Sequence, residues 1–185
     1  LVQWREFVKK LKNPKHKIRI GLIGKYVELP DAYKSIAESF IHSGAVNECD
    51  VEVEYIQSED INEFNLKELL KELKGILVAP GFGSRGIEGK ILAAKYAREN
   101  NIPYFGICLG MQCAVVEFAR NVMKLENANS TETDHKTKHP VIDLMEEQKK
   151  VINKGGTMRL GGFKCIISPG SKSFEAVSYT HLTLP

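Results

Sequence analysis

The chain has 185 residues, of which 43% are hydrophobic and 26% charged, and its formal net charge is only +3. A chain of this length buries roughly 70% of its unfolded surface, so we expect one domain with additional short segments and no need for crosslinks. The balanced charge and the short apolar runs argue against nucleic acid, a membrane-spanning helix or a signal peptide, and they predict a cytoplasmic protein.

Apolar runs alternate with helix-like segments along the first 120 residues or so, after a lysine-rich linker helix predicted in residues 1–16. The strands are predicted at 17–24, 51–56, 75–79 and 103–107, and the helices at 31–42, 66–73, 87–100 and 109–120. The alternating valines and glutamates of 51–56 are typical of a strand near a sheet edge. Four strand–helix units with short connections predict an α/β fold with an open, mostly parallel, flavodoxin-like sheet and helices on both faces.

Two details of this prediction concern local signals. Asp31 is expected to cap the first helix of these units, and Ser43 with Gly44 is expected to stop it after His42.

Beyond residue 121 the alternation ends, because residues 127–139 are polar and lack any period. Further along, 158–160 and 163–167 predict strands of a small antiparallel piece.

A glycine-rich connection follows the third strand and places Gly81, Gly83 and Gly86 in a G-x-G-x-x-G spacing. We reject a dinucleotide fingerprint, which belongs after the first strand and needs an acid about 20 residues on, after the next strand. A P-loop also fails, because Ser84 stands where its first glycine is required and Ile91 where its Ser or Thr is required. A structural turn and a loop that offers bare N–H groups to an anion both remain open.

The fourth strand ends in the sequence G-x-C-x-G, centred on Cys108, and a helix follows at once. This is the cysteine counterpart of the G-x-S-x-G nucleophile elbow, whose glycines permit a sharp strand-to-helix turn. A helix amino terminus favours a thiolate, and the N–H of Leu109 points where an oxyanion would form. The pattern predicts a nucleophilic Cys108, whereas Cys113, one turn further on, is expected to be an inert core residue.

A metal site is not expected. The four cysteines contain no C-x-x-C pair, and their spacing fits no zinc finger. His135 and His139 could mimic a site with Asp134, but a lysine-rich polar loop does not provide an ordered, closed ligand set.

Two segments carry a resemblance to a known family: GILVAPGFGSRGIEGK (75–90) and NIPYFGICLGMQ (101–112). They resemble the glutaminase domain of the CTP synthase family, which is a class I, triad-type glutamine amidotransferase. Shorter stretches fit the same family, namely GKY (24–26), LPDAY (29–33), EFARN (117–121), NANSTE (127–132), PVIDLM (140–145) and GGTMRLG (155–161). The match covers roughly residues 17–177; the elbow indicates an amidotransferase, and the flanking stretches select this family.

The resemblance implies a glutamine-hydrolysing site that feeds ammonia to UTP. Cys108 would attack the glutamine side-chain amide and form a γ-glutamyl thioester, which water would then hydrolyse. The N–H groups of Gly81 and Leu109 would hold the oxyanion. The glutamine-binding positions of the family correspond here to Gly81, Leu109, Gly110, Met111, Gln112 and Glu132, with Glu132 suited to the substrate α-ammonium.

The chain departs from the family pattern in two places. The family often has P-G-G-F-G where this chain has Ala79-Pro80-Gly81, and Pro80 has no N–H to donate if that position were the oxyanion donor. The catalytic base of the family comes from a His-x-Glu pair, preceded by an arginine-rich stretch, and neither is present. We therefore expect a domain truncated at its carboxyl terminus, with 178–185 as a non-family tail and negligible activity alone.

The resemblance also implies partners. A synthetase domain that binds UTP, ATP and Mg²⁺ precedes this domain in the family, and residues 1–16 would be its connector. We expect no cofactor in the domain itself, L-glutamine as its substrate, a homo-oligomeric full-length enzyme and regulation by GTP. Two alternatives stay open: another triad-type amidotransferase, and a non-catalytic flavodoxin-like binding module in which Cys108 is inert.

Overall fold

The computed structural model describes residues 1–29, 31–145, 163–177 and 181–184. The chain divides into two compact units, Leu1–Asp143 and Leu144–Pro185. Within the described ranges, none of the helices combines the length and the apolar character that crossing a bilayer requires. The larger unit contains all of the strand–helix alternation that the sequence predicts.

The larger unit is built on a four-stranded sheet. Its helices are α1 Val2–Lys12, α2 Lys34–Val46, α3 Leu66–Leu70, α4 Ile87–Glu99 and α5 Leu109–Asn121. Its strands are β1 His16–Gly24, β2 Cys49–Gln57, β3 Gly75–Val78, β4 Tyr104–Gly106, β5 Asn129–Ser130 and β6 Pro140–Ile142. The main sheet has the order β2-β1-β3-β4 and every pairing in it is parallel, whereas β5 and β6 form a separate parallel pair.

Helices cover both faces of the main sheet, as predicted. Successive residues of a strand point to opposite faces. Ile23 and Val78 accordingly pack in one apolar cluster with side chains of α3 and α4, and Leu22 and Leu77 pack in another with side chains of α2. A third cluster joins α4 to α5. The order 2-1-3-4 is that of a flavodoxin-like sheet, and β2 lies at its edge as its alternating sequence predicts.

The prediction for α2 was wrong at both ends. The helix begins at Lys34 rather than near Asp31, its N-cap is Tyr33 without a side-chain cap, and it continues through Gly44 to Val46. Gly44 is buried because the helix packs closely on β2, where a Cβ on Gly44 would lie 2.6 Å from the Cys49 carbonyl oxygen. A glycine that looks like a stop signal therefore serves a close helix–strand contact. The helix α3 is also shorter than predicted, because it ends at Leu70.

The smaller unit contains an antiparallel strand pair near the carboxyl terminus, as predicted, although one of its two strands lies in the segment 178–185 that was predicted to be a tail. Strand β7, Phe163–Ile166, pairs antiparallel with β8, His181–Leu184, and helix α6, Lys172–Val177, lies between them in the chain. The strand predicted at 158–160 and the GGTMRLG stretch lie outside the described residues. The proposed boundaries at 17 and 177, with a separate tail, stay a prediction.

Candidate active site

The connections that follow β1, β3 and β4 lie at the carboxyl end of the parallel sheet, where open α/β folds bind ligands. The residues in and next to these connections that concern the site are 24–26, 79–86 and 107–110. The glycine-rich connection and the elbow are adjacent, because a Cβ built on Gly81 would lie 3.6 Å from the Leu109 Cδ2. The two segments that sequence reasoning singled out separately therefore form one site.

The elbow has the backbone geometry of a nucleophile turn. Cys108 is the N-cap residue of α5, with φ 52° and ψ −108°, a conformation that is uncommon for any residue with a side chain. Gly106 and Gly110 permit it: a Cβ on Gly106 would overlap the Met111 backbone nitrogen, and one on Gly110 would overlap the Val78 carbonyl oxygen. The helix begins so close to β3 and β4 that only glycine fits at these two positions.

The two cysteines near the elbow differ in environment. Cys108 is exposed at the start of α5, whereas Cys113 is buried between α4 and α5. Burial raises the pKa of the Cys113 thiol to about 11. Cys113 is therefore a neutral core thiol at physiological pH, in keeping with the prediction from sequence, and Cys108 is the thiol that a substrate can reach.

Two backbone N–H groups beside Cys108 are available to an anion. Among the described residues, no acceptor bonds the N–H of Gly81 or that of Leu109. Gly83 and Gly86 have φ values of 74° and 69°, so the loop turns through conformations that favour glycine. The N–H groups of Gly81 and Leu109 are thus unbonded among the described acceptors, and their role as oxyanion donors stays a prediction.

A hydrogen-bond network at the end of β1 holds the glycine-rich loop by its carbonyl oxygens. The buried Tyr33 hydroxyl accepts hydrogen bonds from the N–H groups of Lys25, at 3.0 Å, and Tyr26, at 3.3 Å. The Lys25 Nζ then donates to the carbonyl oxygens of Phe82, at 2.6 Å, and Gly83, at 3.1 Å. Burial, followed by the charge of Arg85, lowers the pKa of Lys25.

A second lysine reaches the same loop from α4. Lys90 is completely buried, and its Nζ donates to the Ala79 carbonyl oxygen at 2.9 Å. Burial lowers the pKa of Lys90 to about 8. The titratable groups that act on it are those of Cys113, Lys25 and Cys108. Two buried ammonium groups thus hold the loop between β3 and α4 by its carbonyl oxygens.

The structure brings the remaining predicted glutamine-binding residues to this end of the sheet. Glu132 is half-buried, and its Oε1 accepts a hydrogen bond from the Gly83 N–H at 3.3 Å. Gln112 lies in the first turns of α5 and lines a small cavity with Ser130 and Thr133. Met111 is half-exposed beside the elbow. Each of these assignments to glutamine stays a prediction.

Sequence reasoning missed the two buried lysines as parts of the site. Lys90 had a usable signal, because Ile87, Ile91 and Ala94 form the apolar stripe of α4 and Lys90 falls within it. A lysine at such a position either buries its charged ammonium group without a partner or extends that group to a polar partner. Lys25 had no comparable signal, since it follows a strand in an ordinary loop.

No hydrogen bond joins the Cys108 side chain to a candidate base, a histidine or a carboxylate, among the described residues. His16 begins β1 at the other end of the sheet, and His42 packs edge-on against Phe7. No group of three or more His, Cys, Asp or Glu side chains in the described ranges could hold a metal ion.

Comparison with known proteins shows what the chain as a whole is similar to. A model of the family "Glutamine amidotransferase class-I" matches residues 28–183. The CTP synthase of Cytophaga hutchinsonii is 61% identical over 173 residues, and that of Christiangramia forsetii is 63% identical over 171 residues. The structure resembles the glutaminase domain of Trypanosoma brucei CTPS with bound acivicin, with a TM-score of 0.76 and 33% identity.

These matches cover most of this chain but only part of its relatives. The alignment with the Cytophaga protein spans 94% of this chain and 32% of that protein, and the Christiangramia alignment spans 92% and 31%. The Trypanosoma match covers 90% of this chain and 64% of the other. The chain therefore spans about a third of the length of the CTP synthases that it matches.

Proposed function

The chain belongs to the class I glutamine amidotransferase family, and on this premise we propose that it is the glutamine-hydrolysing domain of a CTP synthase. The observation that supports this most directly is the exposed Cys108 on a positive-φ elbow at the carboxyl end of the sheet. The similarity to CTP synthases at about 60% identity favours this family over other glutamine amidotransferases.

In the proposed reaction the Cys108 thiolate adds to the side-chain amide carbon of glutamine. The carbonyl oxygen becomes an oxyanion that accepts hydrogen bonds from the N–H groups of Gly81 and Leu109, neither of which has another described acceptor. Collapse of this intermediate breaks the C–N bond and releases ammonia, once the leaving nitrogen has gained a proton. Water then hydrolyses the γ-glutamyl thioester and frees glutamate and the thiol.

The proposed substrate contacts follow from the same geometry. Glu132 would pair with the α-ammonium of glutamine while it keeps the loop in place through the Gly83 N–H. Gln112 and the backbone of Gly110 and Met111 would line the side-chain channel. Pro80 removes one possible donor, so Gly81 is the loop position that we assign to the oxyanion.

Proton transfer needs a base, and the sequence contains no His-x-Glu pair. We therefore expect these 185 residues by themselves to hydrolyse glutamine very slowly, because Cys108 has no described proton acceptor. General acid–base catalysis contributes about 10²- to 10⁴-fold to rates. Rapid ammonia release by the 185-residue chain would contradict this expectation.

The ammonia would serve ATP-dependent amination of UTP to CTP in a synthetase domain of the whole enzyme. We assign no residue of this chain to UTP, ATP or Mg²⁺, and we expect the whole enzyme to be a cytoplasmic homo-oligomer. Residues 1–16 would connect the two domains. The partners proposed here are small molecules and this second domain, not nucleic acid or a membrane.

The test is covalent labelling by a glutamine-mimicking diazoketone, located by peptide mass spectrometry. We expect one adduct, on Cys108, that excess glutamine slows and that Cys108→Ser abolishes. Cys113→Ser is the matched control, because that thiol is buried one turn further along the same helix, and it should keep the adduct. An adduct that survives Cys108→Ser, or that glutamine does not slow, would favour a binding module with an inert Cys108.

A further inference from the structure

Lys90 is a lysine without solvent exposure in the core of the larger unit. Its side chain is 0% exposed, and no carboxylate lies within ion-pairing distance of its Nζ in the described part of the chain. An ammonium group has three N–H donors. The one hydrogen bond that the described residues give it goes to the Ala79 carbonyl oxygen.

Stability does not explain this lysine. Burying an ammonium group without an anionic partner costs free energy, and an apolar side chain of similar length would pack in the same stripe of α4 at lower cost. The neighbours of Lys90 on that stripe, Ile87 and Ile91, are apolar residues of the same core cluster. Residues that cost stability in this way are characteristic of functional sites.

The geometry of the loop indicates what Lys90 does. Both backbone polar groups of Ala79 are bonded, since its N–H donates to the Ile23 carbonyl oxygen at 2.9 Å and its carbonyl oxygen accepts from Lys90. The next residue, Pro80, has its φ fixed by its ring. With planar peptide bonds, one remaining torsion, the ψ of Pro80, sets the direction of the Gly81 N–H.

Lys25 holds the following part of the loop in the same manner. Its Nζ bonds the carbonyl oxygens of Phe82 and Gly83. In a trans peptide the carbonyl and the N–H point in opposite directions. The Gly83 N–H accordingly points away from Lys25, toward Glu132. Lys25 thus draws carbonyl oxygens to its own side of the loop and leaves the Gly83 N–H on the other side, whereas Lys90 holds the peptide whose nitrogen belongs to Pro80.

We propose that Lys90 is a positioning residue for glutamine hydrolysis: by holding the Ala79 carbonyl it aims the Gly81 N–H at the oxyanion formed on Cys108. A Cβ built on Gly81 would lie 3.8 Å from the Lys90 Nζ, so the ammonium is also close to the residue that carries the proposed donor. Lys90 touches no substrate and acts through the loop. The inference rests on the proposed glutaminase function and adds a residue to it.

The test compares glutamine hydrolysis by the full-length gene product with that of Lys90→Met, which keeps the length of the side chain but has no ammonium. Loss of an oxyanion donor lowers kcat by about 10²- to 10³-fold. A donor that is misaimed but present should cost about 10- to 100-fold. We expect this loss in kcat, a KM within about threefold of the wild type, and a Tm that is unchanged or higher because a buried charge is gone.

The matched control is Lys95→Met, which removes a half-buried lysine from the same helix and should leave kcat and Tm at wild-type values. Lys90→Gln, whose head group is too short to reach Ala79, is the second variant if Lys90→Met does not fold, and the same loss of kcat is expected. A folded Lys90 variant with kcat within twofold of the wild type would overturn the inference while leaving the proposed function intact. A wild-type protein that hydrolyses no glutamine would overturn both.

Discussion

Basic side chains have different environments at the two ends of the four-stranded sheet. At the amino end, Lys17 and Arg19 of β1 lie near Glu52 of β2, with Nζ and Oε2 of Lys17 and Glu52 3.3 Å apart and all three side chains well exposed. At the carboxyl end, Lys25 and Lys90 are buried and bond only to backbone carbonyl oxygens among the described acceptors.

This contrast separates charges that help the chain to fold from charges that shape a site. Exposed ion pairs are screened by water and salt, so their loss changes little. Buried ammonium groups cost free energy, and here they hold by its carbonyl oxygens the loop that carries the proposed oxyanion donor. The close backbone approaches at Gly106 and Gly110 lie at the same end. Buried charge and close backbone contacts are therefore concentrated at the carboxyl end, and substitutions at the two ends should differ in their effects.

The largest effect is expected at the elbow glycine nearest β3. A Cβ in Gly110→Ala would overlap the Val78 carbonyl oxygen, which is a backbone atom of a buried strand and cannot move away cheaply. We expect a loss of about 3 kcal/mol or more in the free energy of unfolding, measured by urea denaturation of the chain.

Gly83→Ala is the matched control within the same site. Its added methyl group meets no atom within 4 Å, so only the strain of φ 74° remains, about 1–2 kcal/mol. If Gly110→Ala were no more destabilising than Gly83→Ala, the contact between α5 and β3 would be loose, and the constraint that we assign to the elbow would be absent.

The contrast between the two ends also explains what the sequence could predict. The elbow around Cys108 was predictable because its requirements are local: a strand, two glycines and a helix start. The edge position of β2 followed from its alternating pattern. The end of α2 could not be predicted from local signals. Gly44 is required by the close approach of the helix to the Cys49 carbonyl oxygen in the next strand, and it does not end the helix.

The buried lysines show a second limit. Composition and periodicity treat lysine as a surface residue, and the cost of burying it becomes visible only when its partner is known. That partner, the Ala79 carbonyl, belongs to a different element from Lys90. Glu132 was likewise singled out by the family resemblance alone, and its contact with the Gly83 N–H could not be predicted from any pattern around residue 132.

A smaller effect than that of Gly110→Ala is expected from the charge on Lys90. Its pKa is about 8 in the folded chain and about 10.4 when unfolded, so between these values the unfolded chain binds more protons and stability rises with pH. Below pH 8 both states are charged and the full penalty applies. Relative to Lys90→Met, the free energy of unfolding of the wild type should therefore rise by on the order of 2–3 kcal/mol between about pH 8 and 10.5.

The measurement is urea unfolding of both chains at several pH values. Lys25, Cys108 and Cys113 also carry or acquire charge near Lys90, but they are present in both chains, so the difference isolates Lys90. A difference that does not change with pH would mean that the Lys90 ammonium is hydrated in the folded chain, like the lysines at the amino end.

The smallest effect is expected at the amino end. Lys17→Met removes the partner of Glu52 from an exposed pair whose side chains are 66% and 47% accessible to solvent. Such pairs contribute about 0–1 kcal/mol, so the free energy of unfolding should fall by less than about 1 kcal/mol, and the loss should shrink further in 1 M salt. Glutamine hydrolysis by the full-length gene product should be unchanged, because Lys17 is at the opposite end of β1 from the site. A loss at Lys17 as large as that from Gly110→Ala would show that constraint is spread evenly along the sheet, which would remove the physical basis for assigning its carboxyl end a special role.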